Sequence, residues 1–400
     1  MTTQSTGRSR RAACRCGVCG LVLATVFISA LAAQSVVPTS AALIGSALAA
    51  ERDGRFAAAI EDLYRLVREH PRSGEALRGR LRLAQLLALS GQLNAALLQC
   101  QEVRDVTGSS GPERQEAIDL STTLVRELRA KSVRSGYFPS IAASALRGLD
   151  KLDEPTALVV GAGGSMVVAD RGRKRVYGVN GGAITTLASA NNPTAATLLA
   201  DGTLAVADKN GLLLAGNRST LTGSWGGRTR DLDDVRSIAA NSRGEFFVVD
   251  GSYNGVLRCG GSGACEPFGV AEKARTVKVG VSDYVYILDD GDSMVRVFDQ
   301  NGAPVATVGP QIGTARLRDV RDIAVDKAYG IYLLDVDSKS VQVARLRLME
   351  DGRLRAVPVT AARIPESEAS GLERPYAVGV SADGAVFVVG RSSSRMVTLQ

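Results

Sequence analysis

Six short runs of β-branched, aromatic and aliphatic residues recur between residues 150 and 400, and five of them end in aspartate: SMVVAD at Asp170, TLAVAD at Asp208, EFFVVD at Asp250, YVYILD at Asp289 and GIYLLD at Asp335. The sixth, AVFVVG, closes on Gly390. Successive ends lie 38, 42, 39, 46 and 55 residues apart. Most runs are entered through a turn signal such as Gly163-Gly164, Asp201-Gly202, Arg243-Gly244 or Asp383-Gly384, and a further apolar stretch precedes each turn. A period of about 40 residues with about four strands per unit is the signature of a propeller blade. The repeat therefore predicts a mainly β chain folded as a six-bladed β-propeller, and the 43 glycines suit its many tight turns.

Two stretches, VRDIAVDKAYGIYLLDVDSKSVQV and DSMVRVFDQNGAPVATVG, resemble the NHL repeat, whose copies build six-bladed propellers. The resemblance covers roughly residues 150–400 and is strongest in the fourth and fifth copies. The second copy, DKNGLLLAGNRSTLTGSW, departs from the pattern by lacking an Arg-Val pair after its turn. The sixth copy supplies only three strands before the chain stops. Because an open ring would expose strand edges, the segment Tyr137–Arg147 is expected to provide the fourth, outer strand.

Residues 41–132 have a different character, dominated by Ala, Leu, Arg and Glu. Ile60, Leu63, Tyr64 and Val67 follow the spacing of an amphipathic helix that ends at Pro71. GRFAAAI at Gly54 and GQLNAAL at Gly91 recur 37 residues apart, and the placement of Gly54, Phe56, Ala59 and Pro71 resembles a tetratricopeptide repeat. Two such units are too few for a free-standing solenoid, so this block must dock on something. The expected domains are residues 1–32, a signal peptide or membrane anchor; 33–135, a tetratricopeptide-like helical domain; and 136–400, the propeller.

The first segment carries Arg8, Arg10, Arg11 and Arg15 with no acid, then GLVLATVFISALA and an Ala30-Leu31-Ala32 cleavage pattern. It predicts an exported protein, periplasmic, envelope-associated or extracellular, that meets the membrane only if this segment stays uncleaved. Without those four arginines the net charge falls from +7 to +3, which is no nucleic-acid footprint. Cys14, Cys16 and Cys19 lie in the same segment and are read as part of the leader rather than a metal site. Cys259 and Cys265 bracket the turn GGSGA, and an oxidising compartment would join them as a disulfide.

Catalytic signals are sparse. The single histidine, His70, sits at a helix end beside Glu69 with no partner pattern, and no G-x-S-x-G elbow is present. GAGGS at Gly161 leads into a strand and reads as a hairpin turn rather than a phosphate loop. The recurring aspartates suit hairpin-fixing acceptors better than a metal ring. No catalytic residue, metal or cofactor is assigned on these grounds. The expected function is a non-catalytic scaffold of the bacterial cell envelope that binds a protein partner of acidic character. Its binding face would be formed by the loops after the aspartate strands: Arg171, Arg173, Lys174 and Arg175, then Lys209, Tyr253, Asn254, Asp290, Asp292, Arg391 and Arg395. That face should be basic over blades 6, 1 and 2 and acidic over blade 4. The alternative is a calcium-dependent propeller hydrolase or lyase. RNA binding, which some NHL propellers perform, would require the export signal to be false.

Overall fold

A computed structural model describes residues 38–106, 111–132, 152–180, 183–208, 211–232, 234–364, 372–391 and 396–399. The expected signal segment (residues 1–32), Lys209, Arg395 and the expected closing segment Tyr137–Arg147 lie outside the described residues.

The repeats fold as six antiparallel blades. Their first strands, Pro155–Val160, Ala195–Leu198, Val235–Ala240, Ala274–Val279, Val320–Val325 and Pro375–Val380, stand side by side in that order. The last adjoins the first, so the ring is closed at its centre. The second strands are the aspartate-ending runs: Met166–Asp170, Leu204–Asp208, Phe246–Asp250, Val285–Asp289 and Gly330–Asp335, with Val386–Gly390 in the sixth blade. In blades 1, 3, 4 and 5 every residue of the second strand is buried. Both faces pack against neighbouring blades, which is why these runs are continuously apolar instead of alternating.

Five of the six first strands carry a register shift one residue in, as between Pro155 and Ala157 or Ala274 and Thr276. The repeated bulge bends each strand into the ring. Blade 6 has three strands among the described residues. Blade 3 has six, because Thr222–Trp225 and Arg228–Asp231 leave the neighbourhood of blade 2 and add to its outer edge. Thr222–Trp225 pairs in parallel with Ala264–Phe268 through Ala264 with Thr222 and Cys265 with Gly223. The sequence GSW thus belongs to blade 3 and not to the second copy that contains it.

Among the described residues five helices precede the propeller: α1 (Ser40–Arg52), α2 (Phe56–Glu69), α3 (Gly74–Leu89), α4 (Leu93–Asp105) and α5 (Pro112–Ser132). The side chains of Thr39 and Ser73 cap α1 and α3 by accepting from the backbone N–H groups of Ala42 and Ala76 at 3.2 and 3.1 Å. Gly54 and Gly91, at φ 72° and 79°, make the tight turns into α2 and α4. Ala59 and Ala96, 37 residues apart like those glycines, are both fully buried where the helices approach. Gly79 has a similar task, since a Cβ there would lie 2.5 Å from Leu66. Among the described residues no helix is long and apolar enough to cross a membrane.

The helical block docks on one face of the ring. One apolar core runs from Leu43, Leu86 and Leu120 of the helices into Tyr284, Tyr329 and Leu346 of blades 4 and 5. Polar contacts reinforce it: Arg126 reaches Asp326 and the Tyr332 hydroxyl, both at 2.9 Å, and Thr123 donates to the Ala382 carbonyl at 3.1 Å. Glu127 receives Arg345 and Arg347, and Arg347 also donates to the Ala88 carbonyl at 2.7 Å. Asp326, Ala382 and Gly163, which donates to Asp119, all lie in turns between first and second strands. The block therefore covers that face, and the loops following the aspartates emerge on the other.

Candidate functional site: a helix-roofed chamber at the channel mouth

The aspartates are committed to the fold. Asp170 accepts from the backbone N–H groups of Asp153, Glu154 and Arg173 at 2.9, 3.0 and 3.1 Å. Asp289 accepts from Glu272 and Gly291, both at 2.9 Å. Asp208, Asp250 and Asp335 likewise hold the segment entering their own first strand, through the N–H groups of Asn191, Asp234 and Asp319. Each carboxylate ties the entry of its blade to its second strand, and each is buried. Gly390 takes this position in blade 6 and supplies no such acceptor. Among the described residues no group of three or more His, Cys, Asp or Glu is arranged to hold a metal ion.

On the uncovered face, Arg173, Lys174, Arg175 and Asn254 are exposed. Arg171 and Arg391 converge on Glu154 at 3.6 and 2.8 Å, which brings blades 1 and 6 together and offsets one of the positive charges expected there. Arg391 also lies over the Tyr376 ring at 5.2 Å. Asp290 is neutralised by Arg275, and Asp292 by Arg296 at 2.7 Å. Tyr253 is half-buried with its ring 5.1 Å from that of Trp225. Cys259 and Cys265 stand opposite one another in adjacent strands and form a disulfide with an S–S distance of 2.08 Å. Cys100 is buried in α4, and desolvation pushes its thiol up to about 12. His70 meets the Pro38 carbonyl at 2.8 Å, among groups that do not line the chamber.

The covered face holds a chamber of about 1130 Å³, continuous from the propeller channel to the undersides of α1, α3 and α5. Its wall can be read layer by layer from the strand register. Three residues before each second-strand end, the paired first-strand residues are Val159, Thr197, Ala239, Lys278, Ala324 and Gly379. All six line the chamber and only Lys278 is charged. One layer deeper stand Ala157, Ala195, Ser237, Thr276, Asp322 and Ala377, where Asp322 alone is charged. Lys278 Nζ and Asp322 Oδ1 are 3.5 Å apart. Asp322 is fixed by Thr276 Oγ1 at 3.2 Å and the Val378 N–H at 3.0 Å, and Thr276 in turn contacts Ser237 Oγ at 3.1 Å. Two successive rings thus hold one cation and one anion, paired across blades 4 and 5.

The roof is a hydrogen-bonded chain. Arg82 Nε donates to Glu51 at 2.8 Å, Arg82 Nη1 to Gln85 at 2.8 Å, and Gln85 Nε2 to Glu116 at 2.9 Å. These four residues line the chamber, as does Tyr284 on the blade 4 side. Burial pushes the Tyr284 phenol well above its ordinary value, so it remains a proton donor at neutral pH. At the docking contact beside the chamber, burial pushes the Asp326 carboxyl up, but the Arg345 and Arg126 guanidinium groups and two backbone N–H bonds outweigh it and hold it below the usual carboxylate range. None of the chamber residues was singled out from sequence. The available signal was Lys278 itself, the lone charge at its position in the six aligned first strands.

The chain is a six-bladed β-propeller whose channel mouth is roofed by its own N-terminal helices. No protein-family model and no curated protein sequence matches it. Solved structures with a similar propeller include a gluconolactonase from Xanthomonas campestris, at 15% identity and TM-score 0.45, covering 67% of this chain and 99% of that one. Virginiamycin B lyase from Staphylococcus aureus is similar at 11% identity and TM-score 0.42, covering 64% of this chain and 97% of its own. A streptogramin B lyase is similar at 9% identity and TM-score 0.41, covering 66% and 96%. The expectation of a non-catalytic scaffold is corrected: the similar structures are named as lyases and a gluconolactonase, and a propeller fold by itself hosts enzymes and scaffolds alike.

Proposed function

We propose that this protein is a propeller enzyme of the hydrolase or lyase class, acting on a small molecule in the helix-roofed chamber. The observation that carries the reading is the Lys278–Asp322 pair, one cation and one anion in two otherwise uncharged rings of the channel. A charge held partly buried in a protein cavity interacts more strongly with a reacting group than it would in bulk water. Lys278 is positioned to stabilise negative charge developing on a substrate or to exchange a proton with it, while Asp322, anchored by Thr276 and Val378, orients the ammonium group. No metal is part of this reading, because the recurring aspartates spend their oxygens on backbone N–H groups at the opposite face.

Three probes test it: para-nitrophenyl acetate, a six-membered lactone, and a β-(para-nitrophenoxy) ketone that releases nitrophenolate on elimination. The wild type should turn over at least one, and Lys278→Met should lower that rate roughly 100-fold. Absence of turnover on all three contradicts the reading. The proposal includes export, supported by the arginine-bearing, acid-free leader and by the Cys259–Cys265 disulfide. A fusion of residues 1–50 to alkaline phosphatase should be active in bacteria, and an inactive fusion would remove that part.

A further inference from the structure

Tyr284 stands out among the polar groups of the chamber. It is 4% exposed and lines the cavity, yet its hydroxyl has no hydrogen-bond partner among the described residues. The hydroxyl of Tyr286 is also unpartnered, but it is sealed from solvent, whereas that of Tyr284 is not. The Tyr284 side chain is thus largely buried while its hydroxyl opens into the chamber, committed to no described protein group and available to a bound molecule.

Strand register shows where this hydroxyl belongs. Lys278 pairs directly with Tyr286, and paired residues project from the same side of a sheet. Tyr284, two residues earlier, shares that side, and the Gly280 N–H donates to its carbonyl at 3.0 Å to continue the pairing. Lys278 and Tyr284 therefore project from the blade 4 face that turns toward Asp322 of blade 5. In the roof, Glu51 is engaged by Arg82 through both its carboxylate oxygens and makes no hydrogen bond to Tyr284. Glu51, Arg82 and Asp299 are the chamber groups whose charges reach Tyr284.

We propose that the Tyr284 hydroxyl is the hydrogen-bond donor to the substrate's carbonyl oxygen, so that the substrate class of the chamber is an acyl compound, an ester, lactone or ketone. The inference rests on the reading of the chamber as an active site. A carbonyl oxygen gains negative charge both when water adds to its carbon and when a proton leaves the adjacent carbon, so one donor serves hydrolysis and elimination alike. The donor stays on Tyr284 throughout and the bond strengthens as charge develops, which places its effect on kcat.

The test is Tyr284→Phe in the full chain, assayed on the three probes above beside wild type, with Tm measured for both. The expected result is a kcat lower by about 100-fold with KM changed little, and a Tm no lower than wild type because no protein hydrogen bond is lost. Wild-type kcat in the phenylalanine variant overturns the inference and leaves the chamber reading standing. A fall in kcat accompanied by a fall in Tm also overturns it, since the hydroxyl would then be structural. A wild type that turns over none of the probes brings down both.

Discussion

The two faces of this propeller carry the same kinds of ion pair in opposite surroundings. On the covered face Arg345 and Glu127 are 4% and 7% exposed at the side chain, and they share the docking contact with Arg126, Arg347 and Asp326. On the free face Asp290 pairs with Arg275 and Asp292 with Arg296, all at least a quarter exposed. Water screens the second set and has been removed from the first. Charge in a loop therefore says little by itself, because what surrounds the charge decides what it does. In the loops that look most interactive in sequence, Arg171, Arg391, Asp290 and Asp292 sit in solvated pairs, and Arg173, Lys174 and Arg175 are exposed. The charges that organise the molecule lie where two modules meet.

The sharpest way to break this comparison is to remove one buried partner. Glu127→Ala removes the carboxylate shared by Arg345 and Arg347, leaving Arg345 only Asp326 at 3.4 Å and Arg347 no anionic partner among the described residues, and should cost about 3–5 kcal/mol in chemical denaturation. A loss under about 1 kcal/mol would show that the helices are not docked as described. Reducing Cys259–Cys265, whose loop is short, should cost about 2 kcal/mol, confined to blade 3 and its added hairpin. Free thiols in mass spectrometry without reductant would remove that contribution. Arg275→Ala, on the solvated face, should cost no more than about 1 kcal/mol.

Acid should weaken the docking contact on the covered face. The Asp326 carboxyl has a lower value in the folded protein than in the unfolded chain. Its contribution is therefore complete above the ordinary carboxylate range and is lost as pH falls through the depressed folded value. Asp326→Asn should flatten this part of the acid limb of the stability profile, measured by denaturation at stepped pH. An unchanged acid limb would mean that Asp326 is not held ionised by Arg345 and Arg126.

Much of the propeller was legible because each blade repeats the same local solution: an apolar second strand, a terminal aspartate and a polar turn. The six blades and the helical block both follow from short-range periodicity. Blade 3 shows where that reading stops. Thr222–Trp225 continues smoothly from the second copy in sequence, and only its pairing with Ala264 and Cys265, decided at long range, moves it to the next sheet. The chamber was illegible for the same reason. Arg126 and Asp326 are 200 residues apart, so nothing local to either announces the docking. Lys278 could be noticed as an odd residue in TVKVG, but its neighbour Asp322 comes from another blade and its roof from another module.

The central claim is that chemistry belongs to the covered face. The most direct measurement compares turnover of the same probe by wild type, Lys278→Met and Asp290→Asn. The account predicts a loss of roughly 100-fold for Lys278→Met and a rate within about twofold of wild type for Asp290→Asn. Equal rates in the two variants, or a greater loss from Asp290→Asn, would contradict it.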